Sequence, residues 1–347
     1  KDLLFPDLLP GLVVNTDDAA MLVAAHPYAL LKLDPSGELI WSRRLGVETY
    51  RETVLRLSGL VSDGEGGFYV AGTYGEDYAS PHENADGLIM RLRSDGSISW
   101  SKRIGDSTEG DLIVTLLRYE DGLVVGGSTW NPSSSHWTPF VHRFDQDGNV
   151  VFQKVLTVDD CQGQSELGGH IIQGIETRDG DLIFAFHYVH QGFASGLVRL
   201  KPDGALAWFS QFGAAEPTHL GPVISSLVEL PTGGYLAAGR YSGEQTASDW
   251  WLAGLDALGR PTWAQRYGGV DVPESTGRDE DGYPSLLLTN DGGVIVGGFS
   301  EAHAFPAQAL VAMKVPAKDG SMSFRPSSEV AVTPLTFVET DRCIEAQ

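Results

Sequence analysis

Residues 34–41 read DPSGELIW and residues 93–100 read RSDGSISW. The same frame, a turn glycine followed four residues later by an aromatic, returns four more times. It appears at 145–152 (DQDGNVVF), 201–208 (KPDGALAW), 256–263 (DALGRPTW) and 317–324 (AKDGSMSF). Its glycines, Gly37, Gly96, Gly148, Gly204, Gly259 and Gly320, follow one another at intervals of 59, 52, 56, 55 and 61 residues. One match of this kind is chance, whereas six in phase are an internal repeat. A second column lies upstream in each unit: DDAAMLVAAH (17–26), GGFYVAGT (66–73), DGLVVGGS (121–128), GDLIFAFH (180–187), GGYLAAGR (233–240) and GGVIVGGF (292–299). Each is a tight turn, then an apolar β-rich run, then small residues. Glycine supplies positive φ in the turn, and small residues at a strand end suggest close approach of a neighbouring backbone.

Each repeat parses as four strands, a to d. In the fifth, strand a is read near Ser226–Leu230, b near Tyr235–Arg240, c near Trp250–Leu255 and d near Pro261–Tyr267. No stretch carries a helical period. A four-stranded unit of this length cannot bury both faces alone, and radial packing of such units solves the problem. The expectation is therefore an all-β, six-bladed β-propeller of four-stranded antiparallel blades, forming a single domain over residues 1–347. Its repeats fall at about 11–46, 50–105, 108–156, 167–213, 220–268 and 281–328, with a closing tail at 329–347. Seven blades is the alternative, because the β-rich tail EVAVTPLTFVET (329–340) could finish the sixth blade or add a strand over the closure. Strand d carries charge or amide (Arg43, Arg44, Lys102, Arg103, Lys154, Gln211, Gln265, Arg266), as an outer edge needs. Strand a is apolar (Leu286, Leu287, Leu288), as an inner strand should be, and the aromatic of strand d is expected to pack between blades.

Composition narrows the function classes. The net charge is −22, which argues against nucleic acid and against an anionic membrane surface. No apolar run approaches the ~18 residues of a membrane-spanning helix, so no membrane insertion is expected. Cys161 and Cys343 match no metal motif and are either a disulfide across the fold or two free thiols. There is no GxSxG elbow, HExxH, P-loop or helix-opening GxGxxG.

The turn, apolar strand, Gly-Gly and later aromatic resemble kelch repeats, most clearly in GLVVGGSTW (122–130) and GGVIVGGF (292–299). LDPSGELIW (33–41) resembles the tryptophan-docking motif of PQQ-type quinoprotein propellers, and the repeat style is similar to that of secreted bacterial propellers. The resemblance concerns scaffold positions and implies fold, not activity. The strand-c tyrosine of kelch is missing in most repeats, and Ser36 stands where the docking motif has threonine before glycine. No PQQ or copper ligands carry over.

In a four-strand meander the a–b and c–d turns lie at one end and the b–c and d–a connections at the other. The first group is short throughout. The b–c segments are long and unalike, at 74–87, 129–139, 187–196, 241–249 and 299–309, as are the d–a segments at 157–169 and 269–283. Eight of the nine histidines fall at this second end, and only His142 lies within a strand. Loops held on a rigid scaffold carry function. The candidate ligand-binding residues are His82, Trp130, His136, Trp137, His187, Tyr188, His190, Arg240, Tyr241 and His303. Aromatics beside carboxylates and amides suit stacking and hydrogen bonding to a sugar or peptide. Arg240 also shares a strand-b column with His26, Thr73, Ser128, His187 and Phe299, a candidate pocket lining. No cofactor is expected, although Asp279-Glu280-Asp281 and Asp159-Asp160 could bind calcium through their carboxylates. Catalytic residues cannot be assigned. The expected function is a non-catalytic ligand-binding or protein-interaction propeller, monomeric, with a carbohydrate or protein/peptide partner, located outside the cytoplasm (secreted, periplasmic or cell surface). A carbohydrate-active lyase or hydrolase using the same end, or a structural module of a larger secreted assembly, are the alternatives.

Overall fold

A computed structural model describes residues 9–15, 21–26, 29–45, 54–75, 85–105, 110–131, 136–159, 169–189, 193–214, 220–242, 248–268, 283–300, 309–315, 331–334, 337–339 and 343–346. The described residues form strands and turns without a helix, so none is long and apolar enough to cross a membrane. The chain divides into two compact units, one over Lys1–Leu156 with Gln347 and one over Thr157–Ala346.

The first unit holds three antiparallel meanders. They are β1 (Leu9–Asn15), β2 (Met21–His26), β3 (Ala29–Leu33) and β4 (Leu39–Arg44); β5 (Val54–Ser62), β6 (Phe68–Gly75), β7 (Ala85–Leu92) and β8 (Ile98–Ile104); and β9 (Asp111–Tyr119), β10 (Gly122–Asn131), β11 (His136–Phe144) and β12 (Val150–Asp159). The second unit repeats the arrangement. Its meanders are β13 (Gly169–Glu176), β14 (Leu182–Val189), β15 (Phe193–Leu200) and β16 (Leu206–Ala214); β17 (Leu220–Glu229), β18 (Tyr235–Ser242), β19 (Ser248–Leu255) and β20 (Pro261–Gly268); and the three-stranded β21 (Ser285–Leu288), β22 (Val294–Ser300) and β23 (Ala309–Val315). The tail supplies β24 (Ala331–Pro334), β25 (Phe337–Glu339) and β26 (Cys343–Ala346).

The middle strands β6 and β18 are apolar on both faces because their sheets pack on both faces. In β6, Phe68 and Val70 point into a core with Leu30, Met90 and Leu92, while Tyr69 and Ala71 point the other way into one with Ile113, Leu116, Val125 and Phe140. In β18, Tyr235 and Ala237 join Ile183, Leu197 and Trp251, while Leu236 and Ala238 join Trp250, Val294 and Val296. Strand alternation thus feeds two cores at once.

The frame aromatics Trp41, Trp100 and Trp208 dock on the turn of the following sheet. Trp41 Nε1–H donates to Ser94 O at 3.0 Å, and Trp100 Nε1–H donates to Gln146 O at 2.9 Å. The turn glycine is part of the seat. A Cβ on Gly96, Gly148 or Gly259, all at positive φ, would stand 3.1, 3.2 and 2.8 Å from the rings of Trp41, Trp100 and Trp208. The paired glycine and aromatic of the sequence frame therefore serve different neighbours. The small residues ending strand b have a related reason. A Cβ on Gly127 would meet Leu112 O, and one on Gly239 would meet Val223 O, both at 2.0 Å, where the ladder bulges.

Several elements differ from the sequence reading. β17 starts at Leu220, well before the expected strand a, because two register shifts around Gly221-Pro222 and Ser225 break its alternation. The b–c segments at 129–139 and 187–196 are mostly strand, since β10 pairs with β11 out to Asn131–His136 and β14 with β15 out to Val189–Phe193. Leu287, read as inner and apolar, is 63% exposed. The tail strands β24 and β25 pair with the outer edges of β20 and β16, and so cover edges that composition alone had marked as protected by charge.

Truncating a docked tryptophan removes a ring seated between sheets. Trp100→Ala and Trp208→Ala should each lower unfolding free energy by about 2–4 kcal/mol in urea titrations, with Trp100→Phe costing less.

Candidate functional site

The two ends of the sheets differ in chemistry. At the turn end the acids are satisfied locally. Asp34 Oδ1 accepts the N–H of Ser36 and of Glu38, both at 2.9 Å; Asp95 accepts Ser97 N–H at 2.8 Å; Asp145 accepts Asp147 and Asn149 N–H at 2.9 and 2.7 Å. Hydrogen bonds from Ser36, Ser97 and Asn149 hold these three carboxyls below their ordinary range. A column of cations at the end of strand c completes the turn end. Arg91 binds Asp63 at 2.9 Å and Glu65 at 2.7 Å; Arg143 pairs with Glu120 over the Tyr119 ring; Arg199 binds Asp181 at 2.6 Å and also Asp179. Sequence reading missed this column, although a Lys or Arg two residues before the turn in five of six repeats (Lys32, Arg91, Arg143, Arg199, Lys314) signals it. Gly254 is the exception, and the Trp263 ring occupies the space there.

The opposite end carries a different brace, present twice among the described residues. Asp86, at the start of β7, is 7% exposed and binds Arg103 of β8 at 2.8 Å, with Tyr74 across the strand pair. Asp249, at the start of β19, is 5% exposed and binds Arg266 of β20 at 3.2 Å, and that guanidinium lies 5.9 Å over the Tyr241 ring. Burial, reinforced by Asp86, pushes the Tyr74 phenol up. Each brace fixes the roots of one b–c connection, at 75/85 and at 242/248. A second buried carboxylate, Asp111, converges with Asp86 beside Gly105, where a Cβ would stand 2.2 and 2.9 Å from their oxygens.

The sequence-selected residues separate into several places. Trp130 and Trp137 face each other across β10 and β11, with ring centroids 5.5 Å apart in an edge-to-face pair, and exposed His136 lies opposite Asn131 at the hairpin tip. Trp137 itself is buried at 8% exposure, with its ring against that of Trp130. Tyr241, at 5%, is likewise a core residue beneath Arg266. His187 faces His170 across β13 and β14 at 5.4 Å. Arg240 lies 5.7 Å over the Tyr283 ring, its Nε buried without a hydrogen-bond partner among the described residues. Of its column, Thr73 Oγ1 accepts Ile113 N–H at 3.0 Å and Ser128 is buried, so these two serve packing between strands. His82, His190, His303, Asp160, the 279–281 acids and Cys161 lie outside the described residues, as do the side chains of His26, Asp159, Tyr188, Phe299 and Cys343. Among the described residues no three metal-type ligands come together.

His142, set aside by sequence reading as a strand residue, is the unusual group. Burial pulls its imidazole from 6.5 down to about 4, and its Nδ1 has no hydrogen-bond partner among the described residues. An unpaired buried nitrogen costs ~1–3 kcal/mol. His187 is also pulled down to about 4, by burial and then by His170. Both are neutral in the fold and titrate near 6.5 when unfolded, so below that pH the unfolded chain binds more protons. Stability should be intact above pH 6.5 and fall as pH drops toward 4, by about 2 kcal/mol per histidine at pH 5. Urea titrations at pH 7 and 5 check this, and His142→Phe should flatten the dependence.

No protein-family model matches the chain, and no curated protein is significantly similar to it. Among solved structures it is similar to the Dos1 propeller, at 10% identity over 89% of this chain and 68% of that one, with a TM-score of 0.52. It is also similar to BamB from Moraxella catarrhalis (13%, 83% and 68%, TM-score 0.41) and to Trypanosoma rangeli sialidase in complex with 2,3-difluorosialic acid (10%, 81% and 56%, TM-score 0.37). At these identities the likeness speaks to architecture, and the Dos1 match together with the repeated antiparallel meanders makes this an all-β chain of β-propeller fold.

Proposed function

We propose that the chain is a six-bladed propeller acting as a non-catalytic binding module through the end of its sheets that bears the b–c and d–a connections. Six in-phase repeats and six sheets support the blade count. The observation that carries the functional reading is the contrast between the two ends. Turn-end acids are spent on their own backbone or on the strand-c cations, whereas the connection ends present exposed His136 and partly exposed Trp130 on the β10–β11 hairpin in one unit, and in the other partly exposed Arg240 beside a connection rooted by the buried Asp249 and its Arg266 partner. Rigid roots with variable tips suit recognition. Aromatic, imidazole and guanidinium groups suit a carbohydrate or a peptide. The paucity of lysine, seven in 347 residues, and the repeat style support a place outside the cytoplasm. The protein acts as a monomer in this reading.

Glycan and peptide arrays, followed by assay of any hit for turnover, test it. Trp130→Ala and His136→Ala should weaken the bound hit about tenfold or more, while Asp95→Ala and Asp203→Ala leave it unchanged. Loss only in the turn variants would reverse the assignment of ends, and product formation would make the chain an enzyme.

A further inference from the structure

A cleft of about 490 Å³ opens between β8 and the β11–β12 pair of the first unit. That volume falls in the ~300–1,000 Å³ range of small-molecule sites. Its walls are Ile104, Phe140, Phe144 and Val155, and His142 stands between the two phenylalanines on one face of β11. The imidazole lies 4.6 Å from the Phe140 ring and 6.4 Å from that of Phe144.

Comparison of the repeats shows that this histidine is out of place as scaffold. The residue immediately before the strand-c cation column is Leu31, Met90, Val198, Ala253 and Met313 in the other five repeats, and His142 here. Leu31, Met90, Val198 and Ala253 are all buried. A core position that is otherwise apolar holds a histidine whose Nδ1 is buried with no partner among the described residues, and the residue itself lines an open cleft. Such a residue weakens the fold, and a ligand in the cleft that engages the imidazole would offset that cost.

The charges define that partner. Lys102 lines the cleft, makes no ion pair within 4 Å among the described residues and acts at longer range on Asp145 of the adjoining turn, while Arg103 is held by Asp86 and Asp111 sits at the far, connection end. The positive pole is therefore at Lys102, and Gln153 adds an amide between. A slot between sheet faces, lined by aromatic rings, admits a planar body. A hydroxyl, which both donates and accepts, suits either tautomer of His142.

We propose that this cleft binds a small hydroxylated aromatic carboxylate, its ring against Phe140 and Phe144, its carboxylate on Lys102 and its hydroxyl on His142. The cleft reaches from Lys102 to Asp111 at the connection end, and its assignment stands independently of the function proposed above.

Titration calorimetry of the whole chain with 4-hydroxycinnamate and 4-hydroxybenzoate is the test. Saturable binding is expected, weakened about tenfold or more by His142→Phe and by Lys102→Gln, and abolished by Val155→Trp, which fills the cleft. His142→Phe restores the apolar column, so its melting temperature should rise; lost binding in that variant is then not a folding defect. Absence of saturable binding to both acids at 5 mM (roughly the weakest affinity such a site would have), or binding that survives both His142→Phe and Val155→Trp, overturns the proposal.

Discussion

An indole seated on its neighbour's turn governs this architecture. Trp41 and Trp100 each donate to a carbonyl of the following sheet, and the turn glycine leaves room for the ring. The contact ties residues 46 to 53 positions apart, so a repeat of ~55 residues with one glycine and one aromatic in fixed phase links neighbouring sheets within a unit. It also explains why both faces of a middle strand must be apolar. Once a sheet is held between two others, Phe68 and Tyr69 are buried in opposite directions, and neither face is left for solvent.

That constraint divides the polar chemistry between the two ends of the sheets. The turns are held to one geometry by docking, and their acids fold back on their own amides or meet Arg91, Arg143 and Arg199. The connections at the other end escape this uniformity. Their roots are clamped by Asp86–Arg103 and Asp249–Arg266, a device found in the second and fifth repeats, while their tips differ in length and composition. Much of the −22 charge thus has a local structural partner and does not describe a ligand.

The repeat and its strand order were legible in the sequence because glycine, aromatic and apolar run each answer a requirement of backbone or core. Burial of polar and aromatic tips was not. Trp137 and Tyr241 belong to residue types that serve surface and core equally, and only the cross-strand neighbours Trp130 and Arg266 decide which. Strand ends failed where bulges break alternation, as at Pro222, and the tail's pairing with β16 and β20 depends on edges that no local pattern reports. His142 was legible after all. Aligned by strand-c register instead of by loop, it is the polar residue in an apolar column.

The docking of strand-d aromatics is best tested by hydrogen exchange at the indole Nε1–H of Trp100, followed by nuclear magnetic resonance in native conditions. If the ring is a structural link between sheets, this proton exchanges only on the timescale of global unfolding and slows with added stability. Exchange as fast as that of an open indole, with the protein fully folded, would contradict the account.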